Sequence, residues 1–222
     1  MKDGNYVNRL ENVIKQMLTP LKDVPFNLVI ECLTGKKVIP FDFENQEDRE
    51  LLEILKEVAI VGGKEISKYG IQSRRPNEVG NYIEEFVKKS MQQYALNPNV
   101  PAGKTGRRKA TGYPDIIFFF KKKPYYLECK TYNLENISTT QRSFYFSPSD
   151  DFKVIYDTHH FILSYEMFLD GRIGDKSIYK CKHYKILSLE SLSIDVKYEF
   201  NSDNQRMYSG KNGAIILDEG DI

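Results

Sequence analysis

One stretch constrains this chain more than any other: Gly112-Tyr113-Pro114-Asp115-Ile116-Ile117-Phe118-Phe119-Phe120, then Lys121-Lys122-Lys123-Pro124, then Tyr125-Tyr126-Leu127-Glu128-Cys129-Lys130. An apolar run, a basic turn, and a second arm that alternates before ending in Glu-Cys-Lys predict a β-hairpin. With Lys122 and Lys123 at the tip, Asp115 lies across from Lys130 and Ile117 across from Glu128. Residues i and i+2 share a strand face, so Glu128 and Lys130 point the same way, with Asp115 beside them. The apolar flanks put the hairpin inside the protein, where charges need partners or a ligand. A cross-strand salt bridge is the plainer use of such residues. Two carboxylates and an ammonium in one place can also hold a divalent cation and leave a lysine to act on water or phosphate. Pro114 suits the entry of a strand, where no ladder donor is required.

A helix is expected before this hairpin. Asn77 is its N-cap, the helix runs to about Ala95, and Val79, Ile83, Phe86, Val87 and Met91 form its apolar stripe. Gly80 sits beside the stripe, where a missing side chain admits a sheet or ligand. Glu84 borders the stripe, whereas Glu78 and Glu85 lie further round. Glu84 is therefore the helix carboxylate of choice, with Glu78 in reserve. Between helix and hairpin, residues 97–112 form a Pro- and Gly-punctuated loop carrying Lys104, Arg107, Arg108 and Lys109, expected to grip phosphates. Gly103-Lys104-Thr105 is not a nucleotide-binding loop, because Pro98 replaces the leading glycine and no helix plainly follows.

Pro114-Asp115, twelve intervening residues and Glu128-Cys129-Lys130, preceded by a helix with Gly80-Asn81-Tyr82-Ile83-Glu84, resemble the PD-(D/E)xK signature of restriction-endonuclease-like nucleases. The resemblance covers residues 75–165. It implies an α/β fold with an αβββαβ core, a central mixed sheet, magnesium (with manganese as a substitute) and phosphodiester hydrolysis. Asp115, Glu128 and the carbonyl of Cys129 would ligate the metal. Lys130 would position the attacking water, and Glu84 would bind a second metal or orient a ligand through water.

Elsewhere the periodicity predicts an N-terminal helix over residues 6–19 and an amphipathic helix from Glu47 to Ile60, stopped by Val61-Gly62-Gly63. Residues 26–33 fit either a strand or a short buried helix. Thr158–Met167 reads as a core strand whose adjacent histidines, His159 and His160, point to opposite faces and are not a metal pair. The chain is expected to form one nuclease domain: a mainly helical N-terminal extension over residues 1–72, the catalytic core over 73–190, and C-terminal strands over 191–222.

Net charge is +1, but it is unevenly spread. Residues 61–132 carry 14 Lys and Arg against 6 Asp and Glu, while the segments before and after are net acidic. A basic region confined to the candidate site suits a polyanion. Gln141, Arg142 and Tyr145 are further candidates for DNA contact. No apolar run approaches a membrane span, the N-terminus does not read as a signal peptide, and three distant cysteines suggest a reducing cytoplasm. Magnesium-dependent cleavage of double-stranded DNA at a specific sequence, by a homodimeric type II restriction endonuclease independent of nucleotide triphosphates, is the expected function. A repair or junction-resolving nuclease, and a non-catalytic DNA-binding module, are the alternatives.

Overall fold

The computed structural model describes residues 4–19, 21–108, 111–133, 143–146 and 151–196. They fall into two compact units. One contains residues up to Val24 together with the chain from Ile194; the other is Pro25–Ser193.

In the first unit, α1 (Gly4–Leu18) presents Tyr6, Leu10, Val13 and Met17 at helical spacing, all exposed. Two short strands, β1 (Leu21–Pro25) and β7 (Ser193–Val196), pair with one another, and the Asp195 carboxylate accepts from the Asp23 amide. The C-terminal strands expected beyond this point lie outside the described residues.

The second unit is built on a five-stranded mixed sheet in the order β2-β6-β5-β4-β3. Its strands are β2 (Ile71–Ser73), β3 (Ile116–Phe120), β4 (Lys123–Tyr132), β5 (His160–Ile173) and β6 (Lys176–Ser188). Only the central β4–β5 pair is parallel. Residues 26–33, ambiguous in sequence, fold as the helix α2 (Phe26–Thr34), ending at Gly35 in the left-handed conformation. Helix α3 (Gln46–Tyr69) starts where Asn45 accepts from the amides of Glu47 and Asp48.

That helix does not stop at Val61-Gly62-Gly63. It runs a further six residues past Gly63 to Tyr69. The glycines mark close packing: a Cβ at Gly62 would sit 2.6 Å from the Tyr165 hydroxyl, and one at Gly63 3.2 Å from the same ring. Their helix-propensity cost of about 1 kcal/mol each is offset by burying β5 against the helix. The helix over 77–95 also begins differently. A 3₁₀ turn occupies Pro76–Glu78 and α4 spans Gly80–Gln93, so Asn77 lies within the turn and is not the cap.

Helices α3 and α4 cover one face of the sheet. Leu51, Leu55, Val58 and Ile66 from α3 and Ile83, Val87 and Met91 from α4 meet Ile116, Phe118, Leu127, Cys129, Leu163 and Tyr165. Strand alternation turns Tyr126, Glu128 and Lys130 to the opposite face. There Phe26 of α2 packs edge-on to Tyr113, at 5.4 Å between centroids, and lies 5.1 Å from Phe144.

Candidate active site

The predicted hairpin forms, but its register is two residues from that expected. Ile116 pairs with Leu127 and Phe120 with Lys123, so Lys121 and Lys122 make the turn and Asp115 falls opposite Glu128 instead of Lys130. Lys121 and Lys122 both take positive φ, 48° and 67°, the conformation a two-residue hairpin turn requires. Three consecutive lysines gave no signal for which pair turns. A shift of two preserves the facing of every side chain, so the cluster survives the correction and becomes tighter.

Asp115 and Glu128 are locked to each other's strands. The Asp115 amide donates to Glu128 Oε2 at 3.2 Å, and the Cys129 amide donates to Asp115 Oδ2 at 2.8 Å. Lys130 Nζ donates to Glu128 Oε1 at 2.6 Å and to the Ser143 carbonyl at 2.9 Å, and lies over the Phe144 ring. Glu128 is 4% exposed. Burial first, and then the Asp115 charge, push its carboxyl up to about 7, with Lys130 pulling the other way. Burial also raises Asp115, aided by Glu84 and opposed by the Cys129 amide and Lys130. Two half-compensated carboxylates side by side are poised for a cation. Their oxygen donors suit a hard ion such as Mg²⁺.

Glu84 stands slightly apart. It is paired with Lys88 one turn along α4, and its charge reaches Asp115 and Cys129. Among the described residues no three acidic, His or Cys side chains are placed to ligate one ion together. Glu78 instead accepts from Ser73, at 3.2 Å. A Cβ at Gly80 would meet Thr131 Oγ1 at 3.5 Å, so the glycine marks where the end of β4 approaches α4.

The basic loop is a small folded hairpin. Ala102 bridges Arg108, the Gly106 amide donates to the Gly103 carbonyl at 2.9 Å, and Thr105 donates to Asp151 through its amide and its hydroxyl. Lys104, Arg107 and Arg108 are exposed on it. Lys109, Gln141 and Arg142 lie outside the described residues; Tyr145 is exposed.

His159 and His160 point to opposite faces, as expected, each against its own set of aromatic rings. His159 lies 3.4 Å from Asp48, with Nδ1 3.0 Å from the Ile39 carbonyl. His160 is fully buried, shares a 2.6 Å hydrogen bond with the Tyr113 hydroxyl, and is held neutral because burial lowers it to about 3. One residue beside the site escaped the sequence reading. Lys153 is 4% exposed and its ammonium faces the segment that leads into Asp115. Its only signal was a lone lysine among Phe152, Val154 and Ile155.

The model of the type II restriction enzyme MjaV family matches residues 20–211. The chain is also 36% identical to the type II restriction enzyme MjaV of Methanocaldococcus jannaschii, over 99% of both chains. The chain belongs to the MjaV family of type II restriction enzymes. No solved structure matches it. Family membership makes the enzyme a site-specific deoxyribonuclease and sets aside both the repair-nuclease and the non-catalytic alternatives. No helix among the described residues is long and apolar enough to cross a membrane.

Proposed function

We propose that this restriction enzyme hydrolyses phosphodiester bonds of double-stranded DNA at a PD-(D/E)xK centre made of Asp115, Glu128 and Lys130, on a restriction-endonuclease-like αβββαβ core. The observation that carries the reading is the mutual lock of the two carboxylates across β3 and β4, with the Lys130 ammonium 2.6 Å from Glu128. Asp115, Glu128 and the Cys129 carbonyl would hold Mg²⁺, with Mn²⁺ able to replace it. When bound, the ion supplies positive charge for the phosphate and acidifies water. Lys130 is fixed by the Ser143 carbonyl as well as by Glu128, so its remaining donor capacity is aimed without further ordering cost. It orients the attacking water and stabilises charge developing on the phosphate. Glu84, at one remove and compensated by Lys88, orients ligands through water.

The basic hairpin holds DNA by its backbone through Lys104, Arg107, Arg108 and Lys109, with Gln141 and Arg142 adding contacts. The active species is a homodimer on a near-palindromic site. Each chain carries one acid–acid–lysine set, and a two-fold dimer matches the two-fold relation of the strands. The three cysteines Cys32, Cys129 and Cys181 are free thiols, which suits a reducing cytoplasm and a single nuclease domain stabilised without disulfides. Digestion of a plasmid with Mg²⁺ tests the reading. Discrete bands that vanish in excess chelator are expected, and undiminished cutting in chelator would overturn it.

A further inference from the structure

Segment 151–155 touches both the basic hairpin and the strand entry holding Asp115, through two side chains two residues apart. Asp151 accepts from the Thr105 amide at 3.0 Å and hydroxyl at 2.8 Å. The Lys153 ammonium donates to the carbonyls of Gly112 and Pro114, the latter at 3.0 Å. Tyr126, on the site face of β4, anchors the segment from beneath. Its hydroxyl accepts from the Ile155 amide at 2.9 Å and donates to the Lys153 carbonyl at 3.3 Å.

The turn that Lys153 grips has little freedom elsewhere. Gly112 has φ +89°, the left-handed region, and a Cβ there would press the Tyr145 carbonyl at 3.2 Å. The Tyr113 amide donates to that same carbonyl at 2.8 Å, and its hydroxyl is bound to His160. Asp115 follows directly, and its Oδ2 must meet the Cys129 amide. A buried ammonium is costly unless it is paired. Here it receives two carbonyls, and the carboxylates of Asp115, Glu128 and Glu84 act on it electrostatically, with Lys88 the opposing cation.

We propose that Lys153 is a positioning residue of the cleavage reaction: by holding the Gly112 and Pro114 carbonyls it sets the backbone from which the Asp115 carboxylate projects. The role is distinct from that of Lys130, whose ammonium lies on the Glu128 side of the site. Lys153 spends its hydrogen bonds on the Gly112 and Pro114 carbonyls and acts through the chain. This inference rests on Asp115 being a catalytic acid.

The test uses Lys153→Met, which keeps the apolar stem and deletes the donor, and Lys153→Arg, which keeps donor and charge, with Asp115→Ala as the reference. Cleavage is followed at saturating duplex, DNA affinity is measured in Ca²⁺, and metal binding without DNA is followed by Tb³⁺ luminescence sensitised by nearby tyrosines. Lys153→Met is expected to lower kcat at least thirty-fold, shift the Tb³⁺ midpoint at least five-fold upward, and leave DNA affinity within three-fold. Lys153→Arg should restore both most of kcat and the Tb³⁺ midpoint. If Lys153→Met does not fold, Lys153→Gln, which retains an amide donor, is expected to show an intermediate loss with the same split. A folded Lys153→Met with wild-type kcat and Tb³⁺ midpoint overturns the proposal, as does a folded Lys153→Arg no better than Lys153→Met. An active Asp115→Ala would instead overturn the reading beneath it.

Discussion

Without metal, Glu128 should make this enzyme more stable in mild acid than at neutral or alkaline pH, the reverse of an ordinary paired carboxylate. Its carboxyl rises from 4.5 to about 7 because burial, and then Asp115, disfavour the charge more than Lys130 favours it. Below the unfolded value both states hold the proton and the native state has its full benefit. Between 4.5 and about 7 the unfolded chain releases the proton while the native state keeps it, so stability falls as pH rises. Above about 7 both states are ionised and the loss is complete. At roughly 1.4 kcal/mol per pH unit, that window is worth about 3 kcal/mol. In a protein of this size it corresponds to roughly 6–12 °C in Tm. Thermal melts in chelator from pH 5 to 8.5, wild type against Glu128→Gln, isolate the group, because other titrations cancel in the difference. The variant should gain on the wild type as pH rises and lead by about 3 kcal/mol at pH 8. Added Mg²⁺ should stabilise the wild type selectively. A difference that does not change with pH would refute the claim that Glu128 is an undercompensated buried acid.

Three further outcomes are expected. Mg²⁺ and Mn²⁺ should support cutting while Ca²⁺ supports only DNA binding, because its larger, looser shell fits the site poorly; gel-shift and cleavage assays run side by side check this. Glu84→Ala should impair single-turnover cleavage more than Glu78→Ala, since the Glu84 charge reaches Asp115 whereas Glu78 is bound to Ser73. The reverse ranking would mean that the helix carboxylate is misassigned. Neutralising two of Lys104, Arg107 and Arg108 should weaken binding at all sequences and reduce the salt dependence by about one unit of slope per lost phosphate contact. An unchanged slope would leave the hairpin out of the interface.

The hairpin and its acids were legible because strand periodicity fixes facing regardless of register: a two-residue slip moved Asp115 from Lys130 to Glu128 without turning it away. What was not legible came from tertiary packing. Gly62 and Gly63 read as a helix stop, yet they are where Tyr165 lies against α3, a contact with a residue a hundred positions away. The ambiguity at 26–33 was resolved by Phe26, which fills an aromatic cluster with Tyr113, Phe144 and His160. Lys153 was invisible because its partners are main-chain carbonyls, which carry no sequence pattern.

The most direct test is single-turnover cleavage of a duplex bearing the recognition site by Asp115→Ala and Lys130→Ala, with binding of the same duplex measured in Ca²⁺. Losses of several orders of magnitude in rate with affinity nearly unchanged are expected, because the metal-holding acid and the lysine act on the reacting phosphate while the grip on DNA comes from other residues. Near-normal turnover in either variant would contradict the assignment of the Asp115–Glu128–Lys130 centre.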